Sequence, residues 1–211
     1  MKNIKMKPYI ILNTAMSLDG RIARKGERVV FSNELDKARR DEIRKSVDGI
    51  MVGINTVLID NPKLTVSEKR EENPARIIID SHGKVPDDAN VLNDKAKNIV
   101  VVSMDAEPYR IEELAGKASV IVCGDDEVDV VKLMDELYKR GIKRILLEGG
   151  GHLNKSMLEA NLIDEIYVSV APVVIGDGVN LVEGVMDERK LTLAGIRQIG
   201  DMVVLKYFPK K

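Results

Sequence analysis

Short apolar runs rich in Val and Ile alternate with amphipathic stretches along most of the chain. The runs predict strands at 9–15, 49–53, 76–80, 98–103, 119–123, 144–147, 165–171, 191–199 and 202–208. Uninterrupted runs such as 77–79 and 99–102 are typical of strands that are buried on both faces of a parallel sheet. Gly200 and Asp201, between the last two runs, predict a two-residue hairpin.

Two of the amphipathic stretches predict helices that pack against these strands. The first is expected to begin at Ser32, a candidate N-cap, and to run through Val47, with an inward stripe of Leu35, Ile43 and Val47. The second is expected to begin near Asp129 and end at Gly141, with five residues inward: Val130, Leu133, Met134, Leu137 and Tyr138. Since no linker divides the chain, residues 1–211 are predicted to form one α/β domain. Its sheet would be mixed, mostly parallel, and would end in an antiparallel hairpin.

Composition and charge exclude several classes of function. The 211 residues carry a net charge of −1, which gives no electrostatic basis for nucleic-acid binding. No apolar run approaches the length of a membrane span. The single Cys123 excludes an internal disulfide and cysteine-based metal clusters, and it fits a reducing cytoplasm. Neither His82 nor His152 has a second ligand at metal-binding spacing, so no metal site is predicted.

Three consecutive glycines, Gly149 to Gly151, separate the apolar run 145–147 from an amphipathic stretch at 152–160. The order indicates a strand, a bare turn and a helix, which directs backbone N–H groups and a helix N-terminus at a position where a phosphate can bind. Glycine permits this approach because it has no Cβ. The run lacks the ending of a phosphate-binding loop and the spacing of the dinucleotide fingerprint, so a turn with positive φ is an equally good interpretation.

Polar residues follow the predicted strand 49–53. Thr56 and Asp60 lie four residues apart after Gly53, so a hydroxyl and a carboxylate would share one face of a helical turn. Ligands of open α/β sheets bind at such strand ends. Capping by Thr56 and a helix stop at Asp60-Asn61-Pro62 is the alternative that the local pattern favours.

A second group of polar residues follows the strand at 76–80. Ser81 and Lys84 are suited to hold a phosphate monoester through a hydroxyl and an ammonium group. A surface turn built on Asp80, Ser81 and Gly83 is the favoured local alternative.

The first predicted helix carries a ladder of charges: Asp36, Arg40, Arg44 and Lys45. Such ladders usually form a solvated helix face. Arg44 is nevertheless a candidate for binding a substrate phosphate, because it lies near the end of a helix that leads into the strand 49–53.

Four sequence blocks, in order, resemble the reductase domain of riboflavin biosynthesis. They are NTAMSLDGR at 13–21, VDGIMVG at 47–53 with its continuation through Thr56 and DNP at 60–62 to LT at 64–65, RIIIDS at 76–81, and LEGGG at 147–151. The pairs at 164–165, 171–172 and 175–176 also match. The resemblance extends from about 8 to 208, nearly the whole chain.

The resemblance implies a dihydrofolate-reductase-like fold, the cofactor NADPH and a homodimer. Members that lack a deaminase, the archaeal and fungal type, reduce 2,5-diamino-6-ribosylamino-4(3H)-pyrimidinone 5′-phosphate to its ribitylamino form. The bacterial type carries an N-terminal zinc deaminase with a His/Cys/Cys site, which a single Cys cannot supply. The resemblance is therefore to the stand-alone type.

Matching positions receive roles from the family. The implied cofactor contacts are Gly53, Thr56, Asp60, Ser81, His82, Gly83, Lys84, Val128, Glu148, Gly149, Gly150 and Gly151. Within this set, Ser81 to Lys84 would hold the adenosine 2′-phosphate, with His82 and Gly83 contributing backbone only, and Gly149 to Gly151 would hold the pyrophosphate. Val128 would pack on adenine, although a core position is an equally good interpretation.

The implied substrate contacts are Asn13, Arg28, Arg44, Leu64 and Glu148. Arg28 and Arg44 would bind the 5′-phosphate, and an exposed loop position is an equally good interpretation of Arg28. The nicotinamide would deliver hydride to C1′ of the opened ribosylamine, and no residue is assigned as proton donor. Two alternatives stay open: a dihydrofolate reductase with Asp36 or Glu42 facing a pteridine, and a non-catalytic NADP-binding regulator.

Overall fold

A nine-stranded sheet forms the centre of the protein in the computed structural model, which describes residues 6–27, 29–67, 73–184 and 187–210. The strands are β1 Tyr9–Ser17, β2 Arg21–Ala23, β3 Gly49–Gly53, β4 Ala75–Ile79, β5 Asn98–Val102, β6 Ser119–Val122, β7 Arg144–Leu147, β8 Glu165–Ala171, β9 Val179–Asn180, β10 Leu191–Ile199 and β11 Met202–Pro209. The α-helices are α1 Glu34–Lys45, α2 Ile54–Asp60, α3 Pro108–Ala115, α4 Val130–Lys139 and α5 Gly151–Glu159, and a 3₁₀ turn spans Asn90–Leu92.

The strand order of the main sheet is β10-β11-β8-β1-β7-β3-β4-β5-β6. Strands from β8 to β6 in this order are parallel, whereas β11 runs antiparallel to both β8 and β10. Strands β2 and β9 form a separate antiparallel pair. The carboxyl ends of the parallel strands therefore meet along one edge of the sheet, where ligand sites of such sheets are found.

Two hydrophobic cores cover the two faces of the sheet. Alternate residues of a strand point to opposite faces, so Met51 packs with α4 and α5 on one side, while Ile50 and Val52 pack with Val57 of α2 and Leu114 of α3 on the other. The uninterrupted apolar runs in the sequence reflect this burial on both faces, as predicted.

Helix α1 differs from its sequence-based prediction. Its N-cap is Asn33, whose side-chain oxygen accepts from the Asp36 N–H at 2.9 Å, so the prediction of Ser32 as N-cap is wrong. The predicted stripe is also wrong at Leu35, which is 60% exposed, whereas the charged Asp36 and Arg44 are buried. The face of α1 that turns inward is polar, because it borders a polar cavity rather than an apolar core.

Several local predictions are confirmed. Asp129 caps α4, and Gly141 has a positive φ of 88°. Of the five residues predicted to face inward, Leu133, Met134 and Leu137 are buried, whereas Val130 and Tyr138 are half-buried. Gly200 has φ 62° in the turn that pairs Ile199 with Met202. Helix α3 and the pair β2–β9 were not predicted. None of the helices in the described ranges is both long and apolar enough to cross a membrane.

Candidate functional site

A cavity of about 690 Å³ lies beside α1 and α2, next to residues 13–15 in the middle of β1 and to Glu148, which directly follows β7. This volume lies within the usual range for sites that bind small molecules. Residues from separate blocks of the sequence line it together, namely Asn13, Arg44, Thr56, Asp60, Leu64 and Glu148. The fold therefore brings together predicted substrate contacts and predicted cofactor contacts in one concave site.

Arg44 and Glu148 form a bidentate ion pair in this cavity. The Arg44 Nε and Nη2 atoms donate to Glu148 Oε1 and Oε2, each at 2.7 Å, and Nη1 donates to the Thr65 carbonyl at 2.7 Å. Burial on its own raises the pKa of Glu148, but the adjacent positive charge and hydrogen bonds of Arg44 outweigh it and hold that pKa below its ordinary value. Glu148 is therefore ionised at neutral pH, and the solvated-face interpretation is wrong for Arg44.

A second polar network fixes Asn13. Arg39 Nη2 donates to Asn13 Oδ1 at 2.7 Å, and Arg39 Nε donates to Asp36 Oδ1 at 3.0 Å. The Ser169 hydroxyl also donates to Asp36 Oδ1, at 2.6 Å. Because the Asn13 oxygen already accepts from Arg39, its NH₂ group is the part of the amide that remains to bind a ligand.

Asp36 is a cavity residue to which sequence reasoning assigned no role in the pyrimidine site. It is 3% exposed and lines the cavity. Burial on its own raises the pKa of Asp36, but hydrogen bonds from Ser169 and Ser32 and the positive charge of Arg39 outweigh this effect. The pKa therefore lies below its ordinary value, and the carboxylate is ionised at neutral pH. Of the two acids considered for a pteridine site, Asp36 faces the cavity, whereas the Glu42 side chain is 71% exposed. The helical charge pattern placed Asp36 on α1 without indicating this burial.

The glycine run lies against the end of β3. The Gly53 N–H donates to the Gly149 carbonyl at 2.8 Å, and the peptide bond between Gly149 and Gly150 is cis. Gly149 has φ 97°, so the positive-φ interpretation is correct at that position. A Cβ on Gly151 would approach the Asn180 carbonyl to 2.5 Å, so close packing requires glycine there too.

Gly150 is different, because the packing of the described chain does not require a glycine at this position. Its φ of −77° suits any residue, and an added Cβ would lie 3.6 Å from Thr56 Oγ1, an ordinary contact. The missing side chain leaves an open backbone surface next to Thr56 and the N-terminus of α5. This geometry fits the close approach of a pyrophosphate.

The Ser81–Lys84 segment forms a separate cluster at the end of β4. The Ser81 hydroxyl accepts from the Val128 N–H at 3.2 Å, which joins two predicted cofactor contacts that are 47 residues apart. Gly83 has φ 68° and its N–H donates to the Asp80 carbonyl at 3.1 Å, so the predicted turn is present, but Asp80 and Gly83 are buried, which makes its placement at the surface wrong for these two residues. The Lys84 side chain is exposed at this turn.

The remaining predicted residues have distinct surroundings. The imidazole of His82 lies 3.3 Å from Asp105 Oδ2. Val128 is half-buried and packs against the core beneath α4, in addition to its contact with Ser81. His152 is exposed on α5. Arg28 lies outside the described residues. Within the ranges that the structure describes, no group of three or more His, Cys, Asp or Glu residues is arranged to hold a metal ion.

Sequence comparison finds relatives that match this chain over most of its length. Residues 8–205 match the model of the RibD C-terminal domain. A 2,5-diamino-6-ribosylamino-4(3H)-pyrimidinone 5′-phosphate reductase of Methanothermobacter thermautotrophicus is 41% identical, over 97% of this chain and all of the relative. A protein of the same name from Archaeoglobus fulgidus is 38% identical over 93% of this chain and 95% of its own.

Solved structures show the same fold. A Thermotoga maritima deaminase/reductase superposes with a TM-score of 0.82 at 25% identity, covering 97% of this chain and 57% of that one. A pyrimidine reductase-like protein of Corynebacterium diphtheriae superposes with a TM-score of 0.86 at 16% identity, covering 97% of this chain and 92% of that one. The predicted dihydrofolate-reductase-like architecture is confirmed. The sequence match over 8–205, together with these relatives, shows that the chain belongs to the RibD C-terminal domain family of riboflavin-biosynthesis reductases.

Proposed function

We propose that this protein reduces the ribosylamino group of 2,5-diamino-6-ribosylamino-4(3H)-pyrimidinone 5′-phosphate to ribitylamino, with NADPH as cofactor. The observation that carries the proposal is the cavity in which Asn13, Arg44, Leu64 and Glu148 meet beside the glycine run. The names of the archaeal relatives support the substrate. When bound, the nicotinamide supplies the hydride.

The cofactor would lie along the carboxyl edge of the sheet. The open backbone at Gly150 and the N-terminus of α5 would receive the pyrophosphate, and Thr56 lies against the same surface. Strand β3 separates β7 from β4 in the sheet. Ser81 and the exposed Lys84, which follow β4 at the same edge, would hold the 2′-phosphate of NADPH. This arrangement favours NADPH over NADH, because NADH lacks the 2′-phosphate that Lys84 would bind.

The substrate would occupy the cavity beside the buried Arg44–Glu148 pair. The Asn13 amide, oriented by Arg39, would donate to the pyrimidine or ribose. Leu64 is 2% exposed and has φ 47°, a conformation that costs a non-glycine residue about 1–2 kcal/mol. The strained Leu64 backbone supports a role at the site, since strained residues cluster where ligands are held.

Glu148 acts as a carboxylate in this account. Arg44 holds its two oxygens in place, and their remaining lone pairs would accept hydrogen bonds from amino or hydroxyl groups of the substrate. Because Glu148 is ionised at neutral pH, we do not assign it as the donor of the proton taken up by the released ring oxygen.

Steady-state oxidation of NADPH tests the proposal. The ribosylaminopyrimidine phosphate should be turned over, and dihydrofolate at the same concentration should not. NADPH binding without oxidation of either compound would instead identify a non-catalytic regulator. The homodimer implied by the family resemblance and the cytoplasmic location suggested by the single Cys123 are further proposals, and sedimentation velocity at micromolar protein concentration tests the first.

A further inference from the structure

Arg40 lies one helical turn before Arg44 and lines the same cavity. Its Nε atom is buried and has no hydrogen-bond partner among the described residues. A buried donor without an acceptor is costly, and more so when it belongs to a charged group. The Nε of Arg40 thus lacks an acceptor within the described protein, and the residue that carries it lines the cavity.

The arginines on either side of Arg40 already bind protein acceptors. Each of the three guanidinium nitrogens of Arg44 donates to Glu148 or Thr65. Arg39 donates to Asn13, Asp36 and Ser169. Arg39 also has a buried Nη1 atom without a partner, but it is not among the residues that line this cavity. Arg40 thus combines an unsatisfied guanidinium donor with a position on the cavity wall.

The charge of the cavity wall favours an anion near Arg40. Lys37 and Lys63 line it together with Arg40 and Arg44. Two of its three carboxylates, Asp36 and Glu148, are neutralised by ion pairs with Arg39 and Arg44. Lys37 pairs with Glu34 at 2.6 Å, and Asp60 is the third acid of the wall, so Arg40 and Lys63 are the wall cations outside these ion pairs, and they favour an anion.

We propose that Arg40 binds the phosphate of the substrate, with Lys37 and Lys63 as surrounding cations. The proposal rests on the proposed function, and the ligand class is a phosphate monoester. A guanidinium offers parallel N–H groups that match two phosphate oxygens, which a single ammonium cannot do. The phosphate concerned is that of the substrate, because Arg40 lies on α1, whereas the proposed site for the cofactor 2′-phosphate is at the end of β4.

Substitution of Arg40 tests this assignment with two substrates. Arg40→Gln should lower kcat/KM for the ribosylaminopyrimidine phosphate by about 10- to 100-fold, as expected for the loss of a charge-assisted contact. It should change kcat/KM for the dephosphorylated compound less than threefold, and leave the Kd of NADPH unchanged. Arg40→Lys should restore only part of the preference for phosphate.

Arg140→Gln is the matched control, because Arg140 is exposed on α4 and pairs with Glu136. It should leave both kcat/KM values unchanged. If Arg40→Gln keeps the wild-type preference for the phosphorylated substrate, Arg40 does not bind the phosphate. An equal loss for both substrates would also overturn the assignment. Weaker binding of NADPH alone would move Arg40 to the cofactor site.

A binding measurement separates this proposal from the proposed function. Calorimetric titration with ribose 5-phosphate and with ribose should show that the wild-type protein binds the phosphorylated sugar more tightly, and that Arg40→Gln loses this difference. Wild-type turnover with an unchanged Arg40→Gln variant would reject Arg40 and leave the function standing. Binding of ribose 5-phosphate through Arg40 without turnover of the pyrimidine would reject the function instead. If Arg40→Gln does not fold, Arg40→Lys provides the same comparison. An undiminished preference of Arg40→Lys for the phosphorylated sugar would contradict binding of the phosphate by the parallel N–H groups of Arg40.

Discussion

The guanidinium of Arg44 donates two hydrogen bonds of 2.7 Å to the carboxylate of Glu148, a residue 104 positions later in the chain. Both side chains are close to 90% buried, and both line the cavity at the carboxyl edge of the sheet. The pair joins α1 to the end of β7 and keeps a carboxylate ionised where the substrate is proposed to bind. A buried ion pair of this kind adds little net stability compared with an apolar pair, but loss of one partner leaves a costly charge.

Glu148→Gln is expected to destabilise the protein by about 3 kcal/mol at pH 7, because Arg44 would remain buried without its counter-charge. The folded-state pKa of Glu148 lies below the ordinary value of 4.5. The stabilising effect of its charge is therefore complete above pH 4.5 and is lost as the pH falls through the folded-state pKa. Urea unfolding of the wild type and the variant between pH 7 and pH 3 should show their stability difference shrinking below pH 4.5.

Glu136→Gln is the control for this measurement, since Glu136 forms an exposed pair with Arg140. Its effect should stay below about 1 kcal/mol. A stability difference between the wild type and Glu148→Gln that does not depend on pH would show that Arg44 does not lower the pKa of Glu148 in the folded protein.

Gly150→Val is expected to abolish NADPH binding while the protein stays folded. The backbone conformation at Gly150 suits any residue and the first added carbon makes only an ordinary contact, so the larger side chain would mainly occupy the proposed pyrophosphate surface. Fluorescence titration with NADPH and thermal unfolding measure the two effects. Gly116→Val, at the end of α3 with φ −70°, is a control outside the site. Normal NADPH affinity in Gly150→Val would contradict the proposed pyrophosphate site at Gly150.

Lys84→Ala is expected to weaken NADPH binding by about 1.5–3 kcal/mol and to leave NADH binding nearly unchanged, because only NADPH carries the 2′-phosphate. Direct titration with the two cofactors measures the difference. Lys139, an exposed lysine on α4 that pairs with Asp135, supplies the control substitution Lys139→Ala. Equal effects on both cofactors would leave the Ser81–Lys84 segment as a surface turn only.

Asn13→Ala is expected to raise KM for the pyrimidine substrate by about 10-fold and to leave the Kd of NADPH within twofold, as expected for the loss of one hydrogen bond to a neutral ligand group. The variant also leaves Arg39 Nη2 without one of its acceptors, so a modest loss of stability should accompany the kinetic effect. Steady-state kinetics with each substrate varied in turn measure both constants. A larger effect on NADPH than on the pyrimidine would move Asn13 to the cofactor side.

The bounds of β3, β7, β8 and β10 could be predicted from the sequence, because each strand is an apolar or alternating run that ends at a glycine, a proline or a polar residue. Helix α1 was harder, since its inward face is polar. A pattern of charges four residues apart specifies the helix face but not its surroundings. Leu35 therefore looked buried and Asp36 solvated, whereas the fold reverses both.

The candidate site was also predicted only in part, because a local sequence pattern does not specify the surroundings of a residue. The resemblance identified Asn13, Arg44 and Glu148, and the fold brings them together in one cavity. The partners of these residues depend on contacts between distant segments. No local sequence signal indicates the hydrogen bonds of Arg44 to Glu148 or of Arg39 to Asn13. The unsatisfied Nε of Arg40 can likewise be identified only from the structure.

The most direct test of the central claim follows the hydride itself. The protein is incubated with the ribosylaminopyrimidine phosphate and NADPH that is stereospecifically deuterated at C4 of the nicotinamide, once for each face, and the product is analysed by mass spectrometry and NMR. We expect a ribitylamino product that, with one of the two cofactors, carries a single deuterium at C1′. Oxidation of NADPH without this product, or a reduced product without label at C1′ from either cofactor, would contradict the central claim.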